Sequence, residues 1–173
     1  ISSAFFLFFV TVRDFFVKKF SSFSQNISHF GFSLLILSIL FNNFLTNETI
    51  INLKLGQTHV AEKFIIKFED VNQSSQKNYE SVVGKFSVKN NDGKTDILYP
   101  ELRIYNQPNI VTSEAYIKTN FFLDKFMTMN YVQNEEYFNI RYQTKPLMLW
   151  IWISVILISL GGLTSLFKKK YES

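Results

Sequence analysis

The stretch "LMLWIWISVILISLGGLTSLF", Leu147–Phe167, has 21 residues and no charge. At about 1.5 Å rise per residue, a helix of that length crosses the roughly 30 Å hydrocarbon core of a bilayer. A second apolar run, "SQNISHFGFSLLILSIL" (Ser24–Leu40), extends to Leu45 and is long enough to do the same. A third, Ala4–Val12, stops after nine residues at Arg13 and Asp14. It is expected to be the end of a membrane helix or an interfacial helix; no charged region precedes it and no small-residue cleavage site follows, so a signal peptide is disfavoured. The chain is thus expected to be an integral membrane α-helical protein. An extramembrane β-rich domain, a small barrel or sandwich, is inserted between two spanning helices. The expected parts are a helix end at 1–20, an inside loop at 21–26, a spanning helix at 27–45, the β-rich domain at 46–145, a spanning helix at 146–167 and a basic inside tail at 168–173.

Charge placement gives the orientation. The span from Thr46 to Lys145 holds twelve basic and twelve acidic residues. The whole formal net charge of +4 therefore flanks the apolar runs, at Arg13, Lys18, Lys19 and Lys168–Lys170 against Asp14 and Glu172. By the positive-inside rule these ends face the cytoplasm or an organellar matrix, and the middle faces the opposite compartment. A pI near 9.2 does not point to nucleic acid, because the basic residues stand at membrane edges. The chain has no cysteine, which excludes disulfides, thiolate metal sites and cysteine nucleophiles within it. Twenty phenylalanines, with abundant Asn, Ile and Lys, fit the AT-rich coding of many organellar genomes.

In the middle, "EKFIIKFEDV" (Glu62–Val71) and "SVVGKFSVKN" (Ser81–Asn90) have the aromatic and β-branched enrichment of strands. "NNDG" (Asn90–Gly93) is a hairpin turn leading to "TDILYPELRIY" (Thr95–Tyr105), with Pro100 at an edge or bulge. "EYFNIRYQTK" (Glu136–Lys145) alternates and runs into the last helix; Ser113–Met129 fits strand or helix.

Chemistry in this middle part has little support. His59 follows "GQT" at a turn, nothing nearby resembles a nucleophile elbow, and two histidines without cysteines make a poor zinc set. His29 is different, being an ionisable residue in a spanning segment. One reading has it cap the inside end of its helix at headgroup depth. The other is haem ligation, because a neutral imidazole is the usual axial donor to haem iron. Gly31 would let a flat macrocycle approach the backbone, and Phe32, Ser33 and Ile36 share the His29 face at i+3, i+4 and i+7. Trp150 and Trp152 stand where an aromatic belt forms, spaced so that they cannot both face one partner. Gly161–Gly162 fits a close helix contact.

Several segments together resemble the CcmF-type cytochrome c haem lyases. "HFGFSLLILSI" is similar to their "AH-x-G" helix start, and "LYPELRIYN" (Leu98–Asn106), followed by "TSEAYI" (Thr112–Ile117), to their "PE-x-R-x-Y" stretch. "RYQTKPLMLWIWISVILISLGGLTSLFKKKY" is similar to their C-terminal "Y-x-KP-x-x-x-WIW…LGG" helix, and "TVRDFF" (Thr11–Phe16) to the end of the preceding one. The resemblance covers nearly all of this chain but only the C-terminal part of the family. The tryptophan-rich haem-handling loop and the upstream helices are not in it, as in split organellar versions of the family.

The resemblance implies that His29 is one of two intramembrane histidines that ligate a b-type haem, the second axial ligand coming from another chain. Phe30, Gly31, Phe32, Ser33 and Ile36 would line the haem pocket. It implies a complex that joins haem, brought by a haem chaperone, to the thiols of apocytochrome c as thioethers, with the b haem passing electrons to the incoming one. The implied partners are the N-terminal half of the lyase on a separate chain, the haem chaperone, apocytochrome c with its thiol-handling proteins, and membrane lipid; nucleic acid is not among them. The expected location is the mitochondrial inner membrane with the β-rich domain in the intermembrane space, or a bacterial inner membrane with that domain in the periplasm. The competing readings are a non-catalytic subunit of a respiratory-chain complex that keeps the haem-lyase fold, and a two-helix anchor that presents a β-domain for protein binding.

Overall fold

A computed structural model describes residues 2–17, 23–132 and 135–171, with side chains up to 166. Of the expected inside loop at 21–26, residues 21 and 22 lie outside the described residues and 23–26 belong to a helix. The chain forms two compact units: Ile1–Thr46 with Thr119–Asp124 and Lys145–Ser173, and Asn47–Lys118 with Lys125–Thr144.

The first unit is helical: α1 (Ser2–Val17), α2 (Phe23–Leu45) and α3 (Met148–Tyr171). Two helices, Phe23–Leu45 and Met148–Leu166, are long and apolar enough to cross a membrane. The opening segment is longer than its nine-residue apolar run suggested, and Arg13 and Asp14 lie within α1, paired to each other at 3.3 Å. Intrahelical hydrogen bonding continues through that pair because neither residue breaks a helix. α2 begins at Phe23 instead of 27, since Ser24, Gln25 and Asn26 continue the same helical turn. The backbone of the expected basic tail continues α3 as far as Tyr171.

α2 packs on both other helices, and both neighbours run antiparallel to it. Phe5 meets Phe41 and Phe15 meets Phe30, so α1 ascends as α2 descends. On another side, Ser24 donates to the Gly161 carbonyl at 2.5 Å, while Asn42 donates to the Pro146 carbonyl at 2.7 Å. Side chains three, four and seven residues apart stack on one helix face, and here small residues occupy it. Ser24, Gly31 and Ser38 are buried on α2, and Ser154 is buried on α3.

The second unit is a β-sandwich. One sheet has the order β1 (Asn47–Leu53), β10 (Phe138–Pro146), β9 (Leu123–Tyr131), β8 (Tyr116–Lys118). The other runs β2 (Thr58–Val60), β3 (Phe64–Ser75), β4 (Tyr79–Asn90), β6 (Glu101–Asn106), β7 (Asn109–Glu114), with β5 (Thr95–Leu98) also paired to β4. Alternate residues of each strand face inward. Ile66 and Phe68 of β3, Phe86 and Val88 of β4, Met127 and Met129 of β9, and Ile140 and Tyr142 of β10 form the closed core with Leu53, Leu98 and Leu102.

Most strands fall where the alternation places them. The Asn90–Gly93 turn closes with a bond from Gly93 N–H to the Asn90 carbonyl at 3.0 Å, Gly93 taking φ 80°. Pro100 divides the expected single strand into β5 and β6, because proline has no N–H for the ladder; its carbonyl instead accepts from Gly84 N–H at 3.0 Å. The ambiguous Ser113–Met129 region is strand, entering β7, β8 and β9. His59 lies within β2, opposite Ile66, beyond the turn at Leu55–Gly56. At one end of the core Asp96 pairs with Lys118 at 2.6 Å and with the buried Lys125, whose Nζ also donates to Asn90 Oδ1 at 3.1 Å. This ionic cluster ties the two sheets together.

Candidate functional site: the third face of α2

α2 carries no Asp, Glu, Lys or Arg, so His29 is its one ionisable side chain. It stands about 9 Å along the helix axis from Phe23, inside the helix and not at its cap. The side chains around it divide among three faces.

The first face meets α1. Ser33 Oγ lies 2.9 Å from Thr11 Oγ1 and donates to the Phe30 carbonyl at 2.9 Å; Thr11 in turn donates to the Phe8 carbonyl at 2.8 Å. Both hydroxyls are buried and satisfied, as polar groups in apolar surroundings must be. Phe30 packs between Phe8 and Phe15, its ring centroid 5.8 and 5.6 Å from theirs.

The second face meets α3. A Cβ on Gly31 would come within 3.0 Å of Ile158 and Leu157, and one on Gly161 within 2.8 Å of the Ser24 carbonyl and Ser28 N. Small residues let two helix backbones approach closely, the usual device of helix pairs in lipid. Gly162 faces open space.

The third face meets neither helix. His29, Phe32, Ile36, Ile39 and Asn43 follow one another at i, i+3, i+7, i+10 and i+14, one stripe of the helix. Phe32 is 53% exposed and Ile39 49% exposed. His29 and Asn43 are exposed and Ile36 is half-buried. Among the described residues no hydrogen-bond or ion-pair partner meets the His29 ring. The stripe therefore presents one nitrogen donor flanked by apolar side chains.

The structure thus brings together His29, Phe32 and Ile36 and separates them from the other three expected pocket residues. Gly31 is pressed against α3 and leaves no room there for a macrocycle. Phe30 and Ser33 are held by α1, about 100° and 40° around the helix from His29 at 100° per residue. Spacing alone joined Ser33 to His29. A helix face is wide enough to hold i+4, but the Thr11 hydroxyl captures Ser33. Ile39 and Asn43 complete the stripe and follow from the same periodicity carried two turns further. Trp150 packs on Phe121 and Phe122, while Trp152 points elsewhere and is 64% exposed, as their spacing required.

A β-sandwich inserted between two apolar, membrane-length helices, one of them with an exposed histidine, defines the class of helix-tethered sandwiches. A family model described as the CcmF C-terminal beta-sandwich matches residues 44–146, and the chain belongs to that family. It is 28% identical over 154 residues to the cytochrome c-type biogenesis protein CcmF of Escherichia coli, covering 88% of this chain and 24% of that protein. The CcmF of Haemophilus influenzae is 26% identical over 167 residues, covering 95% of this chain and 25% of its own length. A solved structure of the cytochrome c haem lyase CcmF has the same fold, with a TM-score of 0.63 at 20% identity, covering 81% of this chain and 23% of that one. The chain spans about a quarter of the length of these relatives.

Proposed function

We propose that this chain serves cytochrome c maturation as the C-terminal part of a haem lyase, inserted in a membrane through α2 and α3. In this reading His29 is an axial ligand of a b-type haem, and the second ligand and the rest of the haem pocket belong to another polypeptide, the N-terminal half of the lyase. The site assists the covalent attachment of haem to apocytochrome c, and a haem chaperone and thiol-handling proteins are its further partners. A mitochondrial inner membrane, with the sandwich in the intermembrane space, fits the compositional bias; a bacterial inner membrane is the alternative.

The observation that carries this reading is the position of His29 on the third face of α2. The side chain is exposed, which leaves it open to a second chain packed on that face. Its ring has no hydrogen-bond partner among the described residues, so a ring nitrogen is open to a metal, with the other left for a hydrogen bond that orients the ring. Phe32 and Ile36 offer an apolar wall one and two turns away, which keeps water from that side of the ligand and raises the influence of axial donors on the iron. Haem, when bound, supplies a redox-active iron whose potential the axial ligands and burial set. The revised set of holding residues is His29, Phe32 and Ile36.

Replacing His29 with alanine is expected to abolish the bis-imidazole haem absorption of the purified assembly while membrane extraction still recovers the chain in the integral fraction. A haem spectrum unaltered by that change overturns the ligand assignment. An assembly that purifies intact without haem favours a scaffold role in a respiratory complex.

A further inference from the structure

Thr119–Asp124, the turn between β8 and β9 together with the first two residues of β9, is grouped with the helices and not with the sandwich. The cause is visible in its bonds. The Phe121 carbonyl accepts from Trp150 Nε1–H at 3.0 Å, and the Phe122 carbonyl accepts from Leu147 N–H at 2.9 Å. Leu147 takes φ 58° to make its turn into α3, a left-handed conformation that a branched side chain adopts only when its surroundings enforce it. The Phe121 ring meets the Trp150 ring edge-on at 4.9 Å, Phe122 lies nearly parallel to it at 6.5 Å, and the two phenylalanines meet each other at 4.9 Å. Yet Phe121 is 52% and Phe122 64% exposed. Two hydrogen bonds to backbone carbonyls, one from an indole and one from a backbone N–H, therefore hold a pair of exposed aromatic rings at the start of α3.

We propose that Thr119–Asp124 is a membrane-interface anchor, with Phe121 and Phe122 seated in the phospholipid headgroup region of the leaflet at the N-terminal end of α3. The proposal rests on the reading that α2 and α3 span a bilayer. Met148–Leu166 is then matched to the hydrocarbon core at about 1.5 Å per residue, which places Trp150 in the aromatic belt at headgroup level. Rings bonded to the first turn of that helix share its depth, so the lipid interface continues from α3 onto the turn.

The chain has no cysteine, so single nitroxide labels test this directly. The full chain in its native assembly is reconstituted in phospholipid bilayers with Phe122→Cys, Phe121→Cys, Ile156→Cys on α3 or Val60→Cys on β2. The unlabelled wild-type assembly gives the background. Accessibility to oxygen and to a water-soluble nickel chelate is then read at each label. Expected are hydrocarbon depth for 156, full water exposure for 60, and phosphate-level depth for 121 and 122. Labels at 121 and 122 as water-exposed as that at 60, with 156 in hydrocarbon, overturn the anchor and leave the spanning reading intact. Labels at 121 and 122 shielded from both reagents overturn it in favour of a protein partner. A water-exposed label at 156 removes the spanning reading and the anchor together.

Discussion

Asp96 shows how one residue contributes to the fold that holds the site. Burial would raise its carboxyl, but the ammonium groups of Lys118 and Lys125 outweigh that and hold it at about 2, below the ordinary 3.8. A carboxyl held low in the folded state contributes stability above its unfolded value, and this is lost as pH falls through the folded one. The contribution is present at pH 5 and above and disappears between about pH 4 and 2. Its size is about 2 kcal/mol. Asp96→Asn should lower the denaturant midpoint of the sandwich at pH 7, and its gap from wild type should shrink by most of that amount at pH 2. A gap independent of pH would mean that the carboxylate charge is not what the lysines hold. Nothing in the sequence marks Asp96 among the chain's fourteen acidic residues. Its partners are 22 and 29 residues away and come together only when the two sheets stack.

Among the elements, α2 has the most to satisfy, because each of its three faces meets a different surrounding. The apolar length was legible, and so was the close contact at Gly161, since paired glycines in an apolar helix signal backbone approach. The division of faces was not, because a helix that is apolar all round gives periodicity little contrast to work with. The hydroxyls, the glycine and Asn42 distinguish the sides, and what they meet (Thr11, Ile158, Gly161 and Pro146) lies outside α2. The α2–α3 face gives a direct test. A side chain at 161 would strike the Ser24 carbonyl and Ser28 N, backbone atoms that cannot rotate away, whereas one at 162 meets nothing. Gly161→Val should destabilise the helical unit by about 1–3 kcal/mol, the usual cost of overpacking. Gly162→Ala should be neutral or stabilise by up to about 1 kcal/mol through helix propensity. Unfolding in mixed detergent micelles, followed by helical circular dichroism, reads both. Equal behaviour of the two variants would place the helix contact elsewhere.

For the molecule as a whole, the sequence shows plainly what is local and hides what is assembled. Alternation in Phe64–Phe68 and Ser81–Asn90 placed β3 and β4, and the Asn90–Gly93 turn joined strands close in sequence. The pairing of β1 with β10 joins Asn47 to Thr144 across the whole domain, and no local pattern announces it. That pairing has a consequence. The chain enters the sandwich on one strand and leaves it on the neighbouring strand, and every core residue from Leu53 to Tyr142 lies between them. A fragment of residues 46–146 therefore keeps both end strands paired and a closed core. In that fragment Phe121 and Phe122 lose the Trp150 ring they pack on, so Phe121→Ser and Phe122→Ser are made in it. At about 100 residues such a domain is expected to unfold in one cooperative step. Far-ultraviolet circular dichroism and tyrosine fluorescence should give coincident, sigmoidal urea curves for a monomer. Gradual or non-coincident curves would show that the sandwich depends on the helices for its stability, and that the two units fold as one.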